Sequence, residues 1–365
     1  MKKVVLFTDC LGSGGAQRQV VNIACLLKKA GYDVRVLVYR DVPFYKGILD
    51  ENQIPLICIE TKSNLSRMLS IRRWLRKCGA DVVISFLETP CFISCFANIG
   101  RKKWKLITTE RSAKMSTFTS RKNRIYNWFE RFSDVKVGNS QNAMNMWRKY
   151  YPQYSDKYSV IYNYVSVPDE YVNAEHQFCS DGKVHIVVAA SYQELKNPIR
   201  VIEAINMLDD DLKKRLVLDW YGNIEATKNN TEVYDKSVEL VHTYRLEECV
   251  HLNRDTNEIY RHMSKSDAVA LFSTVEGLPN AICEAMIMGK PIIMSKVSDY
   301  DVLVDGNGFL CDPWDVNSIK CAIKKILISS EAQRKEMGEE SQKKAECLFS
   351  VSEIQKKWAR LIEIL

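Results

Sequence analysis

No apolar run in this 365-residue chain approaches the ~18 residues that a membrane-spanning helix needs. The start is equally poor in leader features. Met1-Lys2-Lys3 passes into only Val4-Val5-Leu6-Phe7 before Thr8 and Asp9, too short for a secretory core. The expected location is therefore the cytoplasm. Paired cysteine motifs are also missing. The 12 cysteines run from Cys10 to Cys347, yet no two form a C-x-x-C pair. The closest, Cys91 and Cys95, have no neighbouring Cys or His to complete a zinc set. Zinc ribbons and disulfide scaffolds are thereby excluded, no metal site is expected, and the cysteines read as small buried hydrophobes. Repeats of solenoid period are absent too. Hydrophobic content of 46% and charged content of 27% leave no composition for long disorder.

What is present is length for two domains and an uneven charge. The net charge of +7 conceals a division: the first 165 residues hold 28 Lys+Arg against 12 Asp+Glu, and the other 200 hold 24 against 33. A basic first half suits an anionic surface or ligand; a solvated basic face without a partner is the other reading.

Along the chain, short apolar runs alternate with segments of helical spacing. Strands are expected at Lys3–Phe7, Val34–Val38, Ile54–Ile59, Asp81–Phe86, Leu106–Thr109, Val135–Val137 and Val160–Tyr162. The first helix, Ala16–Ala30, carries Val20, Ile23, Ala24 and Leu27 on one face and stops at Gly31. Polar sequence over Val165–Gly182, with Pro168, reads as a linker. Strands then resume at Val184–Ala190, Leu216–Tyr221, Val250–Leu252, Ala268–Phe272, Pro291–Met294 and Gly308–Leu310. A helix is expected at Ile319–Ser329, and a final one, Val351–Leu365, sets Ile354, Trp358, Leu361 and Ile362 on one face. Alternation of this kind implies an α/β chain with two parallel, doubly wound sheets. In such sheets ligands bind beyond the carboxyl ends of the strands, so the loops there are where chemistry is sought.

Two loops stand out. Gly12-Ser13-Gly14-Gly15 follows a strand and opens a helix, so its N–H groups can face an anion or simply make a tight turn. It is not a dinucleotide fingerprint: Gln17 stands where a third glycine belongs, and Arg40-Asp41 is a poor match for a ribose-binding acid. The second loop follows Ala268–Phe272. Glu276-Gly277-Leu278 makes a turn, Pro279 suits the first position of a helix Pro279–Met288, and Gly289 ends it. The helix N-terminus suits a diphosphate, and Glu276 and Glu284 on either side suit sugar hydroxyls.

Ser273 through Pro291 resembles the E-x7-E donor motif of glycosyltransferase family 4, and the resemblance runs nearly end to end. Gly14-Gly15-Ala16-Gln17 is similar to that family's N-terminal glycine loop. Asn139-Ser140 and Val160-Ile161-Tyr162-Asn163 resemble the close of its first domain. Lys196-Asn197-Pro198 resembles the loop with its phosphate-binding lysine, and Asp305-Gly306-Asn307-Gly308-Phe309-Leu310 a late strand. The resemblance implies a GT-B fold, with two Rossmann-like domains facing a central cleft and a last helix crossing back to the first. The expected boundaries are 1–165 for the acceptor domain, 166–345 for the nucleotide-sugar domain and 346–365 for the returning helix.

It further implies a metal-independent, retaining hexosyl- or N-acetylhexosaminyl-transferase. There is then no cofactor; the co-substrate is a nucleotide sugar, UDP- rather than GDP-linked. Donor contacts carry over to Gly14, Gly15, Ser191, Lys196, Glu276, Gly277, Leu278, Pro279, Asn280 and Glu284. Glu284 falls to the ribose, Glu276 to the sugar and Lys196 to the diphosphate. Thr108-Thr109-Glu110-Arg111-Ser112 resembles a loop of the polysaccharide-assembling subset, which assigns Glu110 and Arg111 to the acceptor and places Arg111 with Glu276 and Lys196 in the catalytic set. Two departures bear on specificity. Ser191 stands where the family usually has arginine, and Val297-Ser298-Asp299-Tyr300 replaces a frequent pair of glycines.

Residues 101–136 hold 11 basic and 3 acidic residues, with Phe118, Tyr126, Trp128, Phe129 and Phe132 interleaved. Such a segment lies on an anionic membrane or packs its rings inward as core. No nucleic-acid module is present. The expectation is a transferase acting on a lipid-linked or glycan acceptor in polysaccharide or glycolipid synthesis, in peripheral contact with the inner membrane face. A soluble acceptor, or nucleotide-sugar binding without turnover, are the alternatives.

Overall fold

The apolar runs become the strands of two wholly parallel sheets. A computed structural model describes residues 1–100, 103–172, 181–225 and 230–365. Of the expected linker, residues 173–180 lie outside the described residues; its described part includes a short helix, Asp169–Val172. Residues 101 and 102 of the basic segment also lie outside.

The first sheet contains β1 (Lys3–Phe7), β2 (Asp33–Val38), β3 (Leu56–Cys58), β4 (Val82–Ser85), β5 (Lys105–Glu110), β6 (Val135–Gly138) and β7 (Tyr158–Val160). Their order is β3-β2-β1-β4-β5-β6-β7. The second contains β8 (Val184–Ala189), β9 (Leu216–Gly222), β10 (Val250–Arg254), β11 (Ala268–Leu271), β12 (Ile292–Ser295) and β13 (Gly308–Cys311), in the order β10-β9-β8-β11-β12-β13. Central strands such as Val82–Ser85, Ala268–Leu271 and Ile292–Ser295 are buried at every residue, because helices cover both sheet faces. Edge strands depart most from the sequence expectation. β3 shortens to three residues, and β7 begins at Tyr158, where it pairs with Lys136 of β6.

The chain divides into two compact units, Met1–Tyr164 with Ser350–Leu365, and Val165–Phe349. The helix Val351–Ile364 belongs to the first: Ile354, Trp358 and Ile362 are buried in the core formed by Val20, Ile23 and Leu27 of the helix Gly15–Lys29. Each such side chain contributes about 1.5–3 kcal/mol by leaving water. Polar contacts fix the docking, with Gln355 Nε2 donating to the Leu26 carbonyl at 3.0 Å and Lys2 Nζ to that of Ile362 at 2.8 Å. The preceding helix, Glu331–Phe349, stays with the second unit to its last residue, four residues beyond the end at 345 expected from the sequence.

In each sheet the strand order reverses once, between β1 and β4 and between β8 and β11. Helices diverge there to opposite faces and leave room at the carboxyl edge. No helix among the described residues is long and apolar enough to cross a membrane.

Candidate active site

In the second unit, the loops after β8 and β11 flank the reversal point and bring Lys196 against Glu276. Three local features do this. A turn of 3-10 helix, Glu194–Lys196, follows β8, and the Leu195 carbonyl accepts from the Thr274 amide at 2.8 Å, two residues before Glu276. Asn197 then takes a left-handed conformation, φ 69°, and its buried side chain acts as a staple. Nδ2 donates to the carbonyls of Phe272 at 3.2 Å and Pro313 at 2.7 Å, and Oδ1 accepts from Arg200 at 3.0 Å. Asparagine tolerates this φ better than most residues, which explains the choice beside Pro198. The result is a direct, largely shielded hydrogen-bonded ion pair between Lys196 Nζ and Glu276 Oε1.

The helix behind this pair begins one residue later than expected. Pro279 has an extended ψ of 97° and caps the helix Asn280–Ile287, its carbonyl accepting from Ile282 and Cys283 at 3.1 Å. The positive end of the helix lies at the Glu276-Gly277-Leu278 turn, and Glu284, on its second turn, is buried. Ser298 holds the turn from the other side. It too is left-handed, φ 58°, and its hydroxyl donates to the Gly277 carbonyl. Within residues 297–300, Ser298 thus combines a left-handed backbone with a side chain anchored to the Gly277 turn. Ser191 lies two residues beyond the end of β8, where Gly222 of β9 comes so close that a Cβ on Gly222 would stand 1.9 Å from the Ala190 carbonyl oxygen.

The first unit has a different edge. Gly14 caps the helix Gly15–Lys29 with extended backbone, and Gln17 folds back over it to donate to Asp9 Oδ1 at 3.0 Å. Asp9 also accepts from the Cys10 amide at 2.8 Å and pairs with Arg40. The carboxylate of Asp9, before the glycine loop, thus already has partners within its own chain. Glu110, expected at the acceptor with Arg111, is instead buried beneath its own loop. Its Oε1 accepts from the amides of Arg111 and Ser112 at 3.0 Å, and its Oε2 from Trp147 Nε1 at 3.0 Å. It positions the loop because both oxygens are directed inward. Arg111 lies over the Phe86 ring at 4.9 Å and donates from Nη1 to Asn163 Oδ1 at 3.0 Å. Enclosure lowers the pKa of its guanidinium to about 10, so it stays charged at neutral pH.

The basic, aromatic segment packs some of its rings inward and leaves others exposed. In the helix Arg121–Phe129, Tyr126 stacks on Phe92 at 4.2 Å and Phe129 packs edge-on to the same ring at 4.9 Å. Ile125 and Trp128 face outward, 60% and 48% exposed, and line a surface hollow with Arg121 and Arg124. Arg131 lies 3.9 Å over the Trp128 ring.

Sequence reasoning identified Lys196, Glu276 and Glu284, and the structure brings the first two into contact. It missed Asn197, Ser298 and Asn163, the residues that fix the loops. Only Asn197-Pro198 carried a local signal, since asparagine before proline favours a turn.

Comparison with known proteins gives a consistent outcome. Residues 173–344 match the family described as Glycosyl transferases group 1, and residues 13–167 match Glycosyltransferase Family 4. A relative from Campylobacter jejuni is 24% identical over 99% of this chain and 98% of its own length. It is named GalNAc-alpha-(1->4)-GalNAc-alpha-(1->3)-diNAcBac-PP-undecaprenol alpha-1,4-N-acetyl-D-galactosaminyltransferase. A second from the same organism, an N-acetylgalactosamine-N,N'-diacetylbacillosaminyl-diphospho-undecaprenol 4-alpha-N-acetylgalactosaminyltransferase, is 24% identical over 78% of each chain. Among solved structures, Anabaena Alr3699/HepE in complex with UDP superposes with a TM-score of 0.84 at 19% identity, covering 100% of both chains.

Proposed function

For a chain that belongs to glycosyltransferase family 4, we propose retaining transfer of an N-acetylhexosamine or hexose from a UDP-linked donor to a sugar on a lipid diphosphate. The observation that carries this reading is the Lys196–Glu276 pair beside the N-terminus of the helix Asn280–Ile287. Before donor binding the two charges neutralise each other. An arriving diphosphate competes for the ammonium group, and the carboxylate turns to the sugar hydroxyls. Lys196 and the helix N-terminus then stabilise charge as the sugar–phosphate bond breaks. The acceptor hydroxyl forms its bond to the anomeric carbon on the face the diphosphate leaves, and its proton passes to the departing phosphate oxygen. This assigns the required positive charge to the protein rather than to a divalent ion. The names of the Campylobacter relatives support the choice of acceptor and of an N-acetylgalactosaminyl donor.

The outward residues Ile125 and Trp128, among Arg121, Lys122 and Arg124, support peripheral contact with an anionic membrane, where such an acceptor resides. The decisive assay is transfer from UDP-N-acetylgalactosamine to a polyprenyl-diphosphate-linked sugar in excess chelator. Activity that appears only with added metal overturns the charge assignment, and acceptance of free sugars alone overturns the acceptor class.

A further inference from the structure

One tryptophan lies on the surface at the carboxyl edge of the second sheet. Beyond β13 the chain turns through Asp312-Pro313-Trp314-Asp315, and Trp314 is 63% exposed, the most exposed of the seven tryptophans. The backbone beneath it is fixed. Asp312 Oδ1 accepts from the Trp314 amide at 2.9 Å, and the Asp312 amide is held by Ser318 Oγ at 2.9 Å. Asp315 caps the helix Val316–Ile328 by accepting from the Asn317 amide at 2.9 Å. Pro313 is buried, and its carbonyl accepts from Asn197 Nδ2 at 2.7 Å. Arg200, whose Nη1 donates to Asn197 Oδ1 at 3.0 Å, lies over the Trp314 ring at 5.0 Å from its centre. Two peptide links and one hydrogen bond thus connect the ring to Lys196, and its large exposure leaves the face opposite Arg200 to solvent.

A fixed, exposed indole suits a ligand ring with a flat apolar face. The C–H groups on one side of a pyranose carry partial positive charge and match the negative face of the indole, as the edge of an aromatic ring does. The turn supplies acceptors at the rim. Asp312 and Asp315 are both exposed, and a carboxylate that holds one amide has acceptor positions left for sugar hydroxyls. The same charges disfavour other occupants. A phosphate or an anionic headgroup would meet two carboxylates against one guanidinium. A protein partner would need a larger apolar core than one ring set among Asp312, Asp315 and Asn317. Because the ring is already held by Arg200, little side-chain freedom is left to lose on binding.

Resting on the transferase reading above for the source of the ligand, we propose that Trp314 is a carbohydrate platform. A neutral pyranose of the acceptor's glycan, away from the sugar that reacts, stacks on its open face, and Asp312 and Asp315 accept from the hydroxyls of that pyranose. A glycan long enough to reach the platform gains this contact and a single sugar does not, so Trp314 favours acceptors that already carry several sugars.

The test is a titration of the full chain followed by NMR at the tryptophan indole N–H signals, with Trp314 assigned by the signal lost in Trp314→Phe. The probes are a linear trisaccharide of N-acetylgalactosamine, UDP, and vesicles containing phosphatidylglycerol. The trisaccharide should shift the Trp314 signal saturably. Trp314→Ala should weaken its binding by about fivefold to tenfold and leave UDP within about twofold, with Trp314→Phe, which keeps a smaller ring, in between. The side chain is exposed, so neither variant endangers the fold. A trisaccharide that leaves the Trp314 signal in place, or binds Trp314→Ala as tightly as wild type, overturns the proposal. So does a signal that moves only with vesicles, which makes the ring a lipid contact, or an equal loss of UDP, which gives it to the donor. Trisaccharide binding at Trp314 without transfer from any UDP-sugar would sink the transferase reading and leave the platform standing; transfer without that binding does the reverse.

Discussion

The two sheets end in opposite electrostatic states. At the carboxyl edge of the second, the cation and the carboxylate expected to handle a donor are bonded to each other, Lys196 to Glu276. At the edge of the first, Arg111 rests on a ring and an amide, with two donors unmet and its carboxylate neighbour Glu110 turned inward. A self-neutralised pair needs no further partner to offset its charges. A cation enclosed without a directly bonded carboxylate carries more of its own desolvation cost. The family fold supports both, because each edge is built from loops that the strands merely position.

The largest expected effect comes from breaking the neutral pair. Lys196→Ala and Glu276→Ala should each lower turnover by about 10²–10³-fold, as loss of a group that stabilises developing charge does. Thermal melting alongside the assay separates this from unfolding, and turnover within a few-fold of wild type would remove the pair from the site.

Next is the support of the charged edge. Glu110→Ala strands Trp147 Nε1 and the Arg111 and Ser112 amides, so urea unfolding should show a loss of about 3 kcal/mol. A loss below about 1 kcal/mol would return Glu110 to the acceptor side.

Asn197→Ala removes two buried bonds and leaves alanine at φ 69°, for about 2 kcal/mol of stability and a displaced Lys196 loop. Asn197→Gly, which relieves the backbone but not the bonds, should recover part of the stability and little of the activity. Full recovery would show that the staple is dispensable.

The smallest effect distinguishes backbone from side chain at Ser298. Ser298→Gly loses the bond to Gly277 and gains freedom at φ 58°, for a change of about 1 kcal/mol or less. Ser298→Ala loses the bond and keeps the strain, so it should be the less stable of the two. The reverse order in a denaturation series would mean that the left-handed backbone is not strained.

These variants also mark where sequence reading stops. The central strands were legible since parallel strands covered on both faces are apolar throughout. β3 and β7 were misplaced by a few residues, since an edge strand has one neighbour and its limits follow that pairing. Glu276 and Glu284 were singled out by their places around a helix start, and Lys196 by resemblance to the family's lysine loop. The inward turn of Glu110 was not, because a carboxylate after a strand reads the same whether it faces ligand or a tryptophan 37 residues away. Nor was the Asn163 contact, 52 residues from Arg111.

The sequence by itself determined two doubly wound α/β units, a donor-type strand–turn–helix and a basic first half, since these depend on periodicity, spacing and composition. Only the tertiary structure decided which charges meet. It paired Lys196 with Glu276 and set Arg111 between the Phe86 ring and Asn163, because a side chain's partner is set by which loops the sheet order makes neighbours, and no local pattern records that.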